Sequence, residues 1–394
     1  MRILFVNDGV GDAGGVQNYL TAVAADLRAR GHDLALLHVD RVRAPGDSPV
    51  GADMPHFCVA ESDAQEAVER ARAWSPDVAF SHNMRDLTVE TGLLGHMPVV
   101  KMMHGYFGTC VGGLKMHGFP SRVACDRRFG VACAALYLPR HCGRWSVGAL
   151  TTKYAWARAQ HDLLPRYATL VVASEHMHRE YVRNGAPEAR VVTNPLFAAD
   201  MPAQPAALPE EFRALFLGRM TALKGGDLLI RAAAHAEQHF GTPIAVTLAG
   251  DGPSRPRWEA LAASMGVRAE FPGWVDDARR ATLFASASVV VVPSVWPEPF
   301  GLSGLEGGAY GVASVGFDVG GVRTWLHDGE NGWLVNPREG MSGLARALAD
   351  ARAHDATLRA LRAGARRTAE QFSRSRHMDI LERILADPES QGAA

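Results

Sequence analysis

The sequence predicts an α/β protein made of two doubly wound, parallel-sheet domains. Short β-branched runs alternate with helical periodicity along most of the chain. A Pro/Ala-rich stretch at 197–211 ("FAADMPAQPAALPEE") breaks that series near its middle and reads as a linker. A length of 394 residues is more than one core usually serves.

In the first half, residues 2–7, 33–40, 77–83, 98–104, 169–174 and 190–194 read as strands. Between the first two, Val16, Tyr19, Leu20, Val23, Ala24 and Leu27 recur at helical spacing, and Gly31 follows as a stop. The second series reads as strands at 212–218, 244–250, 268–273, 288–293, 312–317 and 332–335. From 341 to about 386 the pattern is helical almost throughout. Domains are therefore expected at 1–200, with an insert at about 105–145, and at 208–370. A C-terminal helix at 371–394 is expected to pack back on the first domain. Each domain should open a crevice at the carboxyl ends of its strands, and the two should face each other across a cleft fit for a small molecule.

Hydrophobic residues make up 47% of the chain and charged residues 21%, an ordinary soluble composition. The formal net charge of -1 gives no basic field for nucleic acid. The chain opens on a strand with no signal-peptide pattern, and its most apolar run, 286–293, is too short to span a bilayer. A cytoplasmic protein is expected.

The first strand runs into "NDGVGDAGG", where Gly9, Gly11 and Gly14 have the G-x-G-x-x-G spacing of a dinucleotide turn, and Asp40 ends the next strand as a ribose partner would. This supports an NAD(P)-dependent oxidoreductase but leaves the second domain unexplained. The same glycines also let a helix N-terminus approach any phosphate.

The strongest chemistry lies in "PSVWPEPFGLSGLEGGAYG". Glu298 on a loop and Glu306 in the following helix place two carboxylates eight positions apart, suited to accept bonds from sugar hydroxyls. The N–H groups of Phe300, Gly301 and Leu302 would add donors at the helix start. Ser303 and Glu306 also form a capping-box pattern, in which Glu306 would only satisfy the helix end.

This stretch resembles the E-x7-E motif of the retaining glycosyltransferases of family 4, which have the GT-B fold of two Rossmann-like domains. "GRMTALKGGDLLI", "LAGDGP" (248–253), "PGWV" (272–275), Gly14-Gly15 before a helix and His104 in "KMMHG" fall where that family has its landmarks. The fit is looser between about 105 and 165. The resemblance implies transfer of a sugar from a UDP- or GDP-linked nucleotide-diphosphate donor, without a metal or other cofactor, to a sugar, polysaccharide or lipid-linked acceptor. It implies that Arg219 and Lys224 hold the diphosphate, with Gly218 and Gly15 allowing close backbone approach. Glu306 would bind the ribose, Glu298 the donor sugar with the Phe300, Gly301 and Leu302 amides, and His104 the donor sugar or acceptor hydroxyl. On this reading the glycine fingerprint serves the donor phosphate and acceptor, not NAD. A non-catalytic sugar-nucleotide-binding protein of the same fold is the remaining alternative. Thr324 stands where the family usually has an acid, and Gly307-Gly308 replace bulkier residues, which bears on donor-sugar identity.

Cys110, Cys125, Cys133 and Cys142 crowd into the insert. They suit a tetrahedral structural zinc site, two disulfides or free buried thiols; spacings of 14, 7 and 8 intervening residues lack a C-x2-C knuckle. Lys115, Arg122, Arg127, Arg128, Arg140 and Arg144 alternate there with Tyr106, Phe107, Phe119, Phe129, Tyr137 and Trp145. That mixture fits peripheral contact at the inner face of the cell membrane or a lipid-diphosphate acceptor, and equally a solvated loop with inward aromatics.

Overall fold

The computed structural model of the protein describes residues 1–9, 14–40, 54–143, 145–198 and 200–389. Gly11 of the glycine fingerprint and Arg144 of the basic segment lie outside these. The chain divides into two compact units, 1–120 with 126–195 and 375–394, and 121–125 with 196–374.

The first unit begins β1 (Arg2–Asn7), α1 (Gly15–Ala29), β2 (Asp33–His38), β3 (His56–Cys58), α2 (Ala64–Ala73), β4 (Val78–Ser81), α3 (Leu87–Leu94) and β5 (Val99–Met103). An excursion follows, with β6 (Met116–His117), β7 (Val123–Ala124) and α4 (Val131–Tyr137). Then come α5 (Val147–Leu163), β8 (Thr169–Val172), α6 (Glu175–Arg183) and β9 (Val191–Thr193). The sheet is parallel, in the order β3-β2-β1-β4-β5-β8-β9. Ile3, Leu4, Phe5 and Val6 are fully buried, as a central parallel strand covered on both faces requires. Tyr19, Leu20, Val23 and Leu27 form the buried stripe of α1.

The second unit runs β10 (Arg213–Leu217), α7 (Gly226–Phe240), β11 (Ala245–Ala249), α8 (Arg255–Ser264), β12 (Ala269–Gly273), α9 (Asp277–Ala285), β13 (Val289–Val292), α10 (Leu302–Ala309), β14 (Ala313–Phe317) and β15 (Gly332–Val335). Its parallel sheet has the order β12-β11-β10-β13-β14-β15. In both sheets the strand order reverses once, between β1 and β4 and between β10 and β13. Crevices at such reversals are where open α/β sheets bind ligands.

The helical tail is three helices, α11 (Gly340–Ala353), α12 (Asp355–Gln371) and α13 (Arg374–Ala386). α13 groups with the first unit. His377 Nε2 lies 2.9 Å from the Tyr19 hydroxyl, and Arg30 bridges Asp379 and Glu382 at 2.7 Å each. Among the described residues no helix is long and apolar enough to cross a membrane.

β3 has three residues, too short to show alternation in sequence. The Pro/Ala-rich stretch is tied down by arginines: Arg362 donates to Ala206 O and Arg366 to Pro202 O, both at 2.8 Å. Burial lowers the Arg362 guanidinium to about 10.

Candidate active site

In the second unit the loops after β10, β11 and β13 meet at the carboxyl end of the sheet. A Cβ on Gly225 would lie 1.9 Å from Pro293 O, and one on Gly250 2.0 Å from Gly218 O. Both residues have positive φ, so glycine is required twice over. This packing sets Gly218 and Arg219 on the rim and Lys224 just before α7. Arg219 is exposed, and its side chain makes no hydrogen bond or ion pair among the described residues.

Lys224 reaches Glu298. Glu298 is 3% exposed, and its Oε1 accepts from Lys224 Nζ at 2.7 Å, Trp296 Nε1 at 2.8 Å and Ser294 Oγ at 2.5 Å. The Lys224 ammonium also stands 5.6 Å from the centroid of the Trp296 ring. Oε1 is therefore saturated from within the protein. Oε2 takes no hydrogen bond among the described residues and is not sealed from solvent. The backbone is held as firmly: Gly321 N donates to Glu298 O at 2.6 Å, and a Cβ on Gly320 would lie 2.2 Å from that oxygen.

α10 starts at Leu302 with Gly301 as its left-handed cap, φ +82°. Ser303 thus lies inside the helix, and the capping-box reading of Ser303 and Glu306 does not hold. The Phe300, Gly301 and Leu302 N–H groups donate to no partner among the described residues. Trp325 fixes their loop, its Nε1 donating to Phe300 O at 2.8 Å. Glu306 falls in the second turn of α10. Its carboxylate has Arg280 Nη1 at 3.7 Å. Burial raises its pKa above the usual value, opposed by Arg280 and reinforced by Asp277.

In the first unit Gly15 is the first residue of α1, whose cap Gly14 offers no side chain. A Cβ on Gly15 would meet nothing within 4 Å. His104 follows β5, with its Nε2 3.0 Å from Nδ1 of the fully buried His82. Burial, with the Lys101 charge nearby, lowers His104 to about 3, so its imidazole is neutral. Below the pair, Lys101 Nζ contacts Glu90 Oε1 at 2.6 Å and donates to His82 O. Tyr167 donates to Glu90 Oε2 at 2.9 Å.

The structure thus groups Lys224, Glu298, Phe300, Gly301 and Leu302 around one loop, with Glu306 a helix turn further on. Sequence reasoning missed Ser294, Trp296, Trp325 and His82. Trp296 had a signal in its place two residues before Glu298; the others had none.

Of the readings open for the four cysteines, the zinc site finds no support. Among the described residues no three His, Cys, Asp or Glu side chains come together to hold a metal, and Cys110 and Cys133 are free thiols. The excursion is held instead by Lys115, buried and paired with Glu180, and by the fully buried Tyr106 and Tyr137. Cys142 Sγ lies 3.6 Å from His117 Nδ1, while Cys133 Sγ faces Arg128 O at 3.7 Å.

A family profile described as "Glycosyl transferases group 1" matches residues 211–353. An uncharacterised glycosyltransferase of Methanocaldococcus jannaschii is 37% identical over 146 residues, 36% of this chain and 37% of that protein. A D-inositol 3-phosphate glycosyltransferase of Geodermatophilus obscurus is 38% identical over 177 residues, 42% of this chain and 38% of its own. The chain therefore spans less than half the length of these curated relatives. Among solved structures, Anabaena HepE in complex with UDP and glucose has a TM-score of 0.71 at 16% identity, covering 98% of this chain and 99% of its own. Sucrose-phosphate synthase of Thermosynechococcus elongatus has a TM-score of 0.70 at 19% identity, covering 98% of each chain. The chain has the GT-B fold, and its segment 211–353 is similar to the group 1 glycosyltransferases.

Proposed function

We propose that the protein is a retaining glycosyltransferase of family 4 that moves a sugar from a UDP- or GDP-linked donor to a hydroxyl acceptor. The observation that carries this is the division of labour on Glu298. One carboxylate oxygen is fixed by Lys224, Trp296 and Ser294, while the other takes no hydrogen bond among the described residues, on the loop that leads to the unpartnered helix-start amides. A carboxylate so pre-organised suits a sugar hydroxyl, and the amides suit an oxygen that gains negative charge.

In this reading Arg219 and Lys224 neutralise the diphosphate, Glu306 accepts from the ribose hydroxyls, and Gly15 clears the α1 end for an anion. Neutral His104 meets the donor sugar or the acceptor hydroxyl. The bond from the anomeric carbon to the leaving phosphate oxygen breaks, and its electron pair stays on the phosphate. The acceptor oxygen attacks from the same face, and its proton passes to that phosphate oxygen. Two cations supply the charge stabilisation, and the proposal includes no metal or other cofactor.

The matching relatives and HepE, which binds UDP and glucose, support a nucleotide-sugar donor. We place the reaction in polysaccharide or glycolipid assembly, on a sugar, polysaccharide or lipid-linked acceptor, in a cytoplasmic enzyme peripheral at the inner face of the cell membrane. Thermal shift with UDP, GDP and NAD, followed by hydrolysis of a sugar-nucleotide panel, tests the reading. Stabilisation by UDP or GDP and slow donor hydrolysis lost in Glu298→Ala are expected; stabilisation by NAD alone would overturn it.

A further inference from the structure

Five of the seven large exposed apolar side chains of the described chain, Phe119, Val123, Val131, Trp145 and Val147, fall within one excursion, residues 119–147. This segment can bury aromatics, since Tyr137 within it and Tyr106 just before it are fully enclosed. Yet Phe119 is 52% exposed, Trp145 71% and Val147 65%. The two rings form one surface with His141 between them. Phe119 and His141 have centroids 5.3 Å apart, and His141 and Trp145 4.3 Å. Arg140 joins them through the backbone, its carbonyl accepting from Gly118 N at 2.8 Å and Phe119 N at 3.2 Å. Val147 follows Trp145 by two residues, at the start of α5.

The excursion is also one-sided in charge. Residues 116–147 contain five arginines and one acid, Asp126. Arg127, Arg128 and Arg140 are exposed and form no ion pair among the described residues. Apolar rings held out in water by a packed scaffold, beside unpaired guanidinium groups, match an interface with an apolar interior and an anionic face. A bilayer of anionic phospholipid has both.

We propose that the Phe119–His141–Trp145 surface, with Arg140 and with Arg127 and Arg128 of the same excursion, docks the protein on anionic phospholipid. This names the surface behind the peripheral location proposed above and does not depend on the transfer chemistry. Phe119, Trp145 and Val147 would enter the headgroup boundary while the arginines stay at the phosphates. Attraction that rests on a few charges plus a few side chains is reversible and weakens with salt.

Co-sedimentation of the full chain with phosphatidylcholine vesicles, alone and with phosphatidylglycerol, tests this, with donor hydrolysis in vesicle-free solution as the control. Binding is expected only to the vesicles containing phosphatidylglycerol and should fall as salt rises. The Phe119→Ser/Trp145→Ser variant and the Arg127→Glu/Arg128→Glu/Arg140→Glu variant should each bind at least about tenfold more weakly. Both should retain the wild-type Tm, and their hydrolysis in solution should equal that of the wild type whether or not the latter hydrolyses a donor. No binding by the wild type, equal binding to both vesicle types, or undiminished binding by either variant would overturn the proposal.

Discussion

Lys224 Nζ lies 2.7 Å from Glu298 Oε1, joining the cation proposed for the diphosphate to the acid proposed for the sugar. The lysine remains about one-third exposed, with a side-chain accessibility of 31%, whereas the glutamate is at 4%. An incoming diphosphate can therefore reach the ammonium from the solvent side while the carboxylate keeps its other two donors. In the proposed reading this pair couples the grip on the leaving group to the aim of the carboxylate that takes the sugar.

Glu298→Gln tests that coupling. The amide keeps the shape, and its oxygen can still accept from Trp296 and Ser294, but it loses the charge that holds Lys224 and puts an NH2 donor where the unbonded carboxylate oxygen stood. Removing one such pre-organised electrostatic contact costs about 10²–10³ in kcat. A loss of that order is expected in steady-state transfer or hydrolysis, and Lys224→Ala should additionally raise the KM for the donor. Because these residues act as a unit, the double variant should lose less than the product of the single losses.

Glu306 carries a conflict between stability and binding. Burial raises its carboxyl above the ordinary value of 4.5. Such a group binds its proton more tightly folded than unfolded. Its contribution to stability is full below the unfolded-state pKa and is lost as pH rises through the folded-state value. Ionised Glu306 therefore opposes folding at neutral pH. Glu306→Gln should raise Tm at neutral pH, lose that advantage when the melt is repeated below about pH 4, and raise donor KM throughout. A lower Tm at neutral pH would show that the Arg280 contact outweighs burial.

How far the site could be read beforehand follows the same physics. Val289–Val292 is a continuous apolar run because its strand is covered on both faces, so it is legible, and the loop beyond it carries Glu298. The strands at 78–81 and 99–103 end sooner than their sequence runs suggest, and the residues that drop out of the ladder include His82 and His104. Their pairing depends on the adjacency of β4 and β5, a long-range fact with no local periodicity. Ser294 had no signal for the same reason, since a hydroxyl four residues before an acid is unremarked until the loop folds back. The excursion resisted reading most: four cysteines suggested a metal, but a buried lysine and two tyrosines hold it.

Trp325 supports the donor amides through a fit that leaves no room. A Cβ on Gly304 would lie 2.1 Å from the Trp325 ring and 3.0 Å from Ser314 Oγ. Gly304→Ala must displace the indole that donates to Phe300 O. Overpacking of this kind costs about 1–3 kcal/mol, readable as a lower urea midpoint at unchanged m-value. Donor KM should rise in parallel because the amides at Phe300, Gly301 and Leu302 move with the loop.

In the first unit, Lys101 and Glu90 form a buried ion pair whose side chains are 3% and 0% exposed. Lys101 also donates to His82 O, so the pair lies directly under the two histidines. Two charges taken out of water gain little over apolar residues when both are present, yet one left alone is costly. Lys101→Met should therefore destabilise by about 3–5 kcal/mol in denaturant titration, because Glu90 keeps its charge or must take up a proton. The hydroxyl of Tyr167, its own pKa raised by burial and by Glu90, offers that carboxylate a donor but no compensating charge. Lys101→Met combined with Glu90→Leu should recover most of the loss. If the double variant is instead as unstable as the single one, the network is needed for its hydrogen bonds to Ser81, His82 and Tyr167 rather than for its charge balance, and the His82–His104 contact should weaken in both.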